Sequence, residues 1–148
     1  MLRVSVLCIG KLRERFYTDA CEEYIKRLSR YCSLEVTELP ETGDIVRDGN
    51  AMLAKLPTGA YVVALCVEGR LFSSEELSKY ISDYALRGGS RICFLIGGSD
   101  GLSPEVKDRS DLRLSMSRMT FPHHLARVMV LEQIYRAFTI AEGGKYHK

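Results

Sequence analysis

The side chains best suited to chemistry in this sequence gather toward its carboxyl end. Tyr146 and His147 set a phenol beside an imidazole just before the last residue. A terminal pair of this kind can reach into a site as a proton acceptor or hydrogen-bond donor near neutral pH. Residues 145–148 read equally as a solvated tail. Pro122, His123 and His124 stand where a helix begins, and a histidine there more often makes a structural hydrogen bond than a catalytic one. Glu132 and Arg136 have the spacing of an ion pair along a helix surface. All three histidines fall within residues 118–148, which carry five basic and two acidic side chains, net +3. Residues 1–117 hold 16 basic against 17 acidic, net −1, so an anionic partner would dock on the C-terminal third.

A second signal lies in the main chain. Residues 97–101 (GGSDG) follow an apolar run directly, and glycines there let N–H and C=O groups approach a ligand closely, or simply make a tight turn. They match neither G-x-G-x-x-G nor a P-loop, since no G-K-[ST] follows, so phosphate binding is not the expected use.

These groups need elements to position them, and the chain alternates strand and helix signals without repeats or low-complexity linkers. Residues 3–9 are a β-branched run closed by Gly10. Tyr17, Cys21, Tyr24, Leu28 and Tyr31 then recur at helical spacing. Residues 34–39 alternate as a half-buried strand that Pro40 ends, and a weaker helix follows over 44–56. Residues 60–67 are apolar without alternation, which predicts the middle strand of a parallel sheet covered on both faces. Ser73 and Glu76 form a capping box for a helix that stops at Gly88 and Gly89. Residues 91–96 are a further buried strand, Ser103 and Pro104 open a short helix toward Arg109, and residues 112–115 are a short strand. The last helix, about 122–141, is apolar on nearly every side and must pack on several faces, a subunit interface being one natural burial. The pattern predicts one α/β domain over residues 1–148, a three-layer sandwich with a mainly parallel sheet. In such sheets ligands collect beyond the carboxyl ends of the strands, where the loop after residues 65–67, the loop 97–101 and the segment 116–121 all lie.

Composition excludes several classes. With 148 residues, 46% hydrophobic and 27% charged, the chain can bury a core and is neither disordered nor fibrous. Its net charge of +2 is too small for a protein that holds nucleic acid by charge alone, so any such partner must be gripped locally. The longest uncharged stretch, residues 56–67, is too short to cross a bilayer, and strand-like residues follow Met1 directly, so a cytoplasmic protein without a membrane partner is expected. Five cysteines with no C-x-x-C pair read as reduced core residues, and no spacing supports a metal site.

Four ordered stretches carry a resemblance: residues 95–103 (LIGGSDGLS), 114–123 (LSMSRMTFPH), 132–138 (EQIYRAF) and the final Tyr146 and His147. With the start at 6–12 (VLCIGKL) and the overall length, they resemble the ribosomal RNA large subunit methyltransferase H family of the SPOUT superfamily along the whole chain. The resemblance implies an α/β sheet with a C-terminal trefoil knot, which general topology rules make rare. It implies a homodimer and methylation of N3 of a pseudouridine in 23S rRNA of the assembled ribosome, with S-adenosylmethionine as methyl donor.

Carried over by motif, the cofactor site would comprise Leu65, Gly97, Met116, Ser117, Arg118, Met119, Thr120 and Phe121, giving adenine an apolar slot edged by main-chain hydrogen bonds. His147 would be the base and Tyr146 would place its ring. Arg118 or Lys148 would steady the anionic ring or nearby phosphates, and the terminal aromatic could support a flipped base. Methyl transfer from a sulfonium needs alignment and a deprotonated nitrogen more than it needs a metal. Two other readings stand beside this one: a non-catalytic ribosome-binding module of the same fold, and an enzyme taking a phosphorylated nucleotide at residues 97–101. The second is disfavoured by Asp100 and the missing lysine.

Overall fold

The computed structural model describes all 148 residues. Strands and helices alternate as β1 (Arg3–Ile9), α1 (Arg15–Leu28), β2 (Ser33–Leu39), α2 (Ile45–Ala54), β3 (Tyr61–Leu71), α3 (Ser74–Leu86), β4 (Arg91–Ile96), α4 (Pro104–Arg109), β5 (Leu112–Ser115) and α5 (His123–Ala141). The five strands are all parallel, in the order β2-β1-β4-β3-β5.

Strand side chains alternate across the sheet, and each face has its own helices. Val4, Val6, Cys8, Val63, Ile92, Phe94 and Ile96 pack with Cys21 and Leu28 of α1, Leu77 and Ile81 of α3, and Val130, Leu131, Ile134 and Ala137 of α5. On the other face Leu7, Ile9, Val62, Ala64, Cys93 and Leu95 meet Met52 of α2 and Val106 of α4. The result is the three-layer α/β sandwich that the alternation predicts. Helix α5 lies between α1 and α3, which explains why so few of its positions are polar. No helix is long and apolar enough to cross a membrane.

Local signals act where the sequence puts them. Ser73 and Glu76 close a reciprocal capping box on α3, Asp44 accepts from the N–H groups of Val46 and Arg47, and Ser103 caps α4 ahead of Pro104. Tyr31 falls just beyond α1 but still serves its face, stacking on Phe138 of α5 with ring centroids 5.8 Å apart.

The middle strand is β4, flanked by β1 and β3, and not the strand over residues 60–67 as the apolar run suggests. The run is apolar because β3 is interior, with β4 on one side and β5 on the other. Apolarity reports burial on both faces, and it does not report rank in the sheet. Strand β3 also continues to Leu71, with its register against β5 shifting between Leu65 and Arg70. The intervening residues bulge outward, and Gly69 lies so close to β5 that a Cβ there would sit 2.8 Å from the carbonyl carbon of Arg113.

Candidate cofactor and active site

A cavity of about 740 Å³ opens at the carboxyl ends of β3, β4 and β5 and is closed by the start of α5. Its walls are residues 65–68, 96–102, 114–117 and 119–123, with Lys107 and Ala126. It therefore unites the glycine loop and segment 116–121 with residues 65–68, where the sheet pattern predicts a loop but β3 continues through a bulge to Leu71.

The glycine loop is both a tight turn and a ligand wall. Gly101 takes φ +79° and its N–H donates to the Gly98 carbonyl at 3.0 Å. A Cβ on Gly97 would sit 2.6 Å from the Gly101 carbonyl oxygen and 2.8 Å from the Leu102 nitrogen, so only glycine fits. Glu41, from the turn after β2, grips this loop: its Oε2 accepts from the Ser99 N–H and the Ser99 hydroxyl. Those two hydrogen bonds hold the Glu41 carboxyl below its ordinary value. On the facing wall the Ser115 hydroxyl donates to the Ser117 carbonyl at 2.9 Å, and the Met119 N–H donates to Ser117 Oγ at 3.0 Å. Segment 116–121 is thus preformed by its own serines.

The start of α5 is tied to β1 and β2. Arg127, 2% exposed, donates to the Gly10 carbonyl at 2.8 Å and pairs with Glu38 at 2.5 Å, while Glu38 also accepts from the Leu12 N–H. His123 lines the cavity with Nε2 3.4 Å from Glu41 Oε1. Burial, together with neighbouring His123 and Arg127, pushes the His124 imidazole below its ordinary value. Charge on the cavity wall comes from Glu68, Asp100 and Lys107, and Glu68 is ion-paired to Lys107.

Of the residues that the resemblance puts at a cofactor, Leu65, Gly97, Met116, Ser117, Met119, Thr120 and Phe121 all line this one cavity. Arg118 is exposed on the same segment and is not part of the wall. Tyr146 and His147 are elsewhere. The Tyr146 hydroxyl donates to Glu132 at 2.7 Å, its ring packs edge-on against Tyr135, and Arg136 stacks over it. Burial and the Glu132 bond push the Tyr146 phenol up. His147 sits between Arg136 of α5, at 3.0 Å from Nδ1, and Glu75 of α3, at 2.6 Å from Nε2. Since arginine only donates, Nδ1 accepts and Nε2–H donates to Glu75, so both ring nitrogens are engaged. The tail is therefore docked and not solvated, and Glu132 and Arg136 form the helix-surface pair that their spacing predicts, at 2.9 Å.

Several residues have no sequence signal. Glu41, Lys107 and Arg127 act across long separations and no local pattern marks them, whereas Glu68 follows directly on the marked residues 65–67. His123 and His124 do stand out as a pair at a helix start. Cys66, expected in the core with the other cysteines, is half-buried and lines the cavity, because the β3 bulge turns it toward the opening. No group of three or more His, Cys, Asp or Glu side chains is arranged to hold a metal ion.

Comparison with known proteins agrees with this geometry. A family model described as "Predicted SPOUT methyltransferase" matches residues 2–147. The chain is 46% identical to a protein of Clostridioides difficile (strain 630) named Ribosomal RNA large subunit methyltransferase H, covering 99% of this chain and 100% of the relative. It is 47% identical, with the same coverage, to a protein of that name from Clostridium botulinum (strain Alaska E43 / Type E3). Among solved structures, a probable methylase family protein from Haemophilus influenzae Rd KW20 superimposes with TM-score 0.60 at 14% identity, over 100% of this chain and 72% of that one. That likeness is one of fold.

Proposed function

Since the chain belongs to the SPOUT methyltransferase family, we propose that it is an S-adenosylmethionine-dependent enzyme that methylates N3 of a pseudouridine in 23S rRNA of the assembled ribosome. The observation that carries this reading is the meeting of Leu65, the glycine loop and segment 116–121 around one cavity. Full-length relatives named Ribosomal RNA large subunit methyltransferase H support the substrate class.

The cavity fits the cofactor. Its volume lies within the range of small-molecule sites, about 300–1,000 Å³. Leu65, Ile96, Leu102, Leu114, Met116 and Phe121 give an apolar slot, and the crowding at Gly97 leaves main chain as the wall an adenine edge would meet. Two carboxylates and one lysine on the wall leave it one net negative charge, the complement of the cofactor's single net positive charge. The same balance opposes a polyphosphate ligand, which would bring several negative charges to a wall with a single lysine and two carboxylates.

When bound, the cofactor supplies an electrophilic methyl group. The chain's residues do the rest. The preformed loops fix the direction of approach, the apolar walls exclude water, and Arg118, exposed at the cavity's outer segment, meets the RNA. The N3 proton goes to His147, with Tyr146 setting the ring. A chain's own His147 does not line its own cavity and has both ring nitrogens engaged, so the tail leaves Glu75 and serves the cavity of a second copy. The active form is thus a homodimer with composite sites, and the C-terminal path is the trefoil knot of the superfamily. Acting on ribosomes, it works in the cytoplasm.

Methyl transfer from labelled S-adenosylmethionine to ribosomes lacking the modification tests this reading. A non-catalytic ribosome-binding module of the same fold would bind the particle without saturable cofactor binding and would leave it unlabelled.

A further inference from the structure

We propose that Lys107 and Glu68 are the subsite for the amino-acid end of the cofactor, Lys107 receiving its carboxylate and Glu68 its ammonium. The inference rests on the S-adenosylmethionine reading above and adds to it a pair of residues outside every motif in the sequence.

Lys107 is the one lysine or arginine on the cavity wall. It projects from α4, and Glu68 projects from the β3 bulge; both line the cavity, and their charged ends meet across it. Each is the other's only ion-pair partner, and Lys107 is the less exposed of the two, at 24% of its side chain against 56% for Glu68. Neither fastens a helix cap, a strand or the glycine loop, all of which have their own hydrogen bonds. An ion pair on a cavity wall, with no other structural duty, is suited to exchange partners. A zwitterionic ligand end offers the same two charges reversed, so one charge-assisted pair becomes two without leaving a charge unpaired. The remaining wall is apolar side chain, main chain and the neutral hydroxyls of Ser99, Ser115, Ser117 and Thr120, apart from Asp100 and His123, and it holds no second cation for the carboxylate of the amino-acid end. The β3 register shift is what brings Glu68 opposite α4, and this gives the bulge a purpose beyond strand pairing.

Titration calorimetry on the wild-type protein and on Lys107→Met and Glu68→Gln separates the roles with three probes. These are S-adenosylmethionine, its decarboxylated form, which keeps the ammonium, and 5′-methylthioadenosine, which lacks the whole amino-acid end. Lys107→Met is expected to weaken S-adenosylmethionine by about 10–100-fold, the worth of a hydrogen bond to a charged group, while leaving the other two probes within twofold. Glu68→Gln is expected to weaken both ammonium-bearing probes and spare methylthioadenosine. Lys107→Arg, which keeps the charge, should retain most of the affinity, and thermal melts of all three variants check the fold. Equal loss for methylthioadenosine, or unchanged affinity for S-adenosylmethionine in Lys107→Met, overturns the subsite. Each of those outcomes overturns the subsite alone, whereas wild-type protein that does not bind S-adenosylmethionine overturns the cofactor reading as well.

Discussion

Glu41 and Ser99, 58 residues apart in sequence, are joined by two hydrogen bonds to a single carboxylate oxygen, from the serine N–H and from its hydroxyl, each 2.8 Å long. The pair fastens the glycine loop of β4 to the end of β2, so the wall of the cavity is set by a residue that does not line it.

The clamp has a pH signature. Its hydrogen bonds hold the Glu41 carboxyl below its ordinary value in the folded protein, so the clamp's contribution is complete above the unfolded value of about 4.3. It is lost as pH falls through the lowered folded value. Thermal melts between pH 7 and pH 3.5 are expected to show a steeper acid loss for the wild type than for Glu41→Gln. At pH 7 the variant should bind S-adenosylmethionine about tenfold more weakly. Parallel pH curves would refute the clamp.

Gly97→Ala forces a Cβ against the Gly101 carbonyl and the Leu102 nitrogen. Overpacking of this kind costs about 1–3 kcal/mol. Because the strain falls on the cavity wall, cofactor binding should disappear in calorimetry while denaturant melts still show a cooperative fold. Wild-type affinity would contradict the assigned wall.

Thiol reactivity reports on the cavity independently. Burial pushes Cys8 and Cys93 up to about 12 and Cys32 to about 11, and it also raises Cys21. Cys66 is raised by burial too, yet it is only half-buried and opens on the cavity. A maleimide reagent at mildly alkaline pH is expected to give one slow adduct, at Cys66 by mass spectrometry, and S-adenosylmethionine should slow it further. Labelling that ignores the cofactor would place the ligand elsewhere.

Much of the fold is legible in local patterns. The period of Tyr17, Cys21, Tyr24 and Leu28, the box of Ser73 with Glu76, and the apolar run at 91–96 each encode one element without outside help. Sheet order is not legible, because the run at 60–67 has the same two-faced burial as the true middle strand. The site divides the same way. Leu65, Gly97 and residues 116–121 follow from strand ends, whereas Glu41, Lys107 and Arg127 act across 58, 39 and 89 residues to Ser99, Glu68 and Glu38. The motif that names Tyr146 and His147 says nothing about where they dock. That depends on Glu132 and Arg136 within α5 and on Glu75, 72 residues away.

Subunit mixing tests the composite site. Gly97→Ala disables a cavity and His147→Ala disables a tail, so each homodimer should be inactive on ribosomes. Random re-pairing makes half the dimers mixed, each with one intact cavity facing one intact tail, so about one quarter of wild-type activity should return. No recovery would mean that cavity and tail act within one chain.

The central claim is methyl transfer to ribosomal RNA, and its most direct test is to incubate the protein and labelled S-adenosylmethionine with ribosomes from a strain lacking it. Assembled particles are compared with separated subunits, and the labelled base is then mapped. The account predicts label on N3 of a pseudouridine in 23S rRNA, with assembled ribosomes the preferred substrate. Ribosomes that stay unlabelled while the protein demonstrably binds S-adenosylmethionine would contradict it.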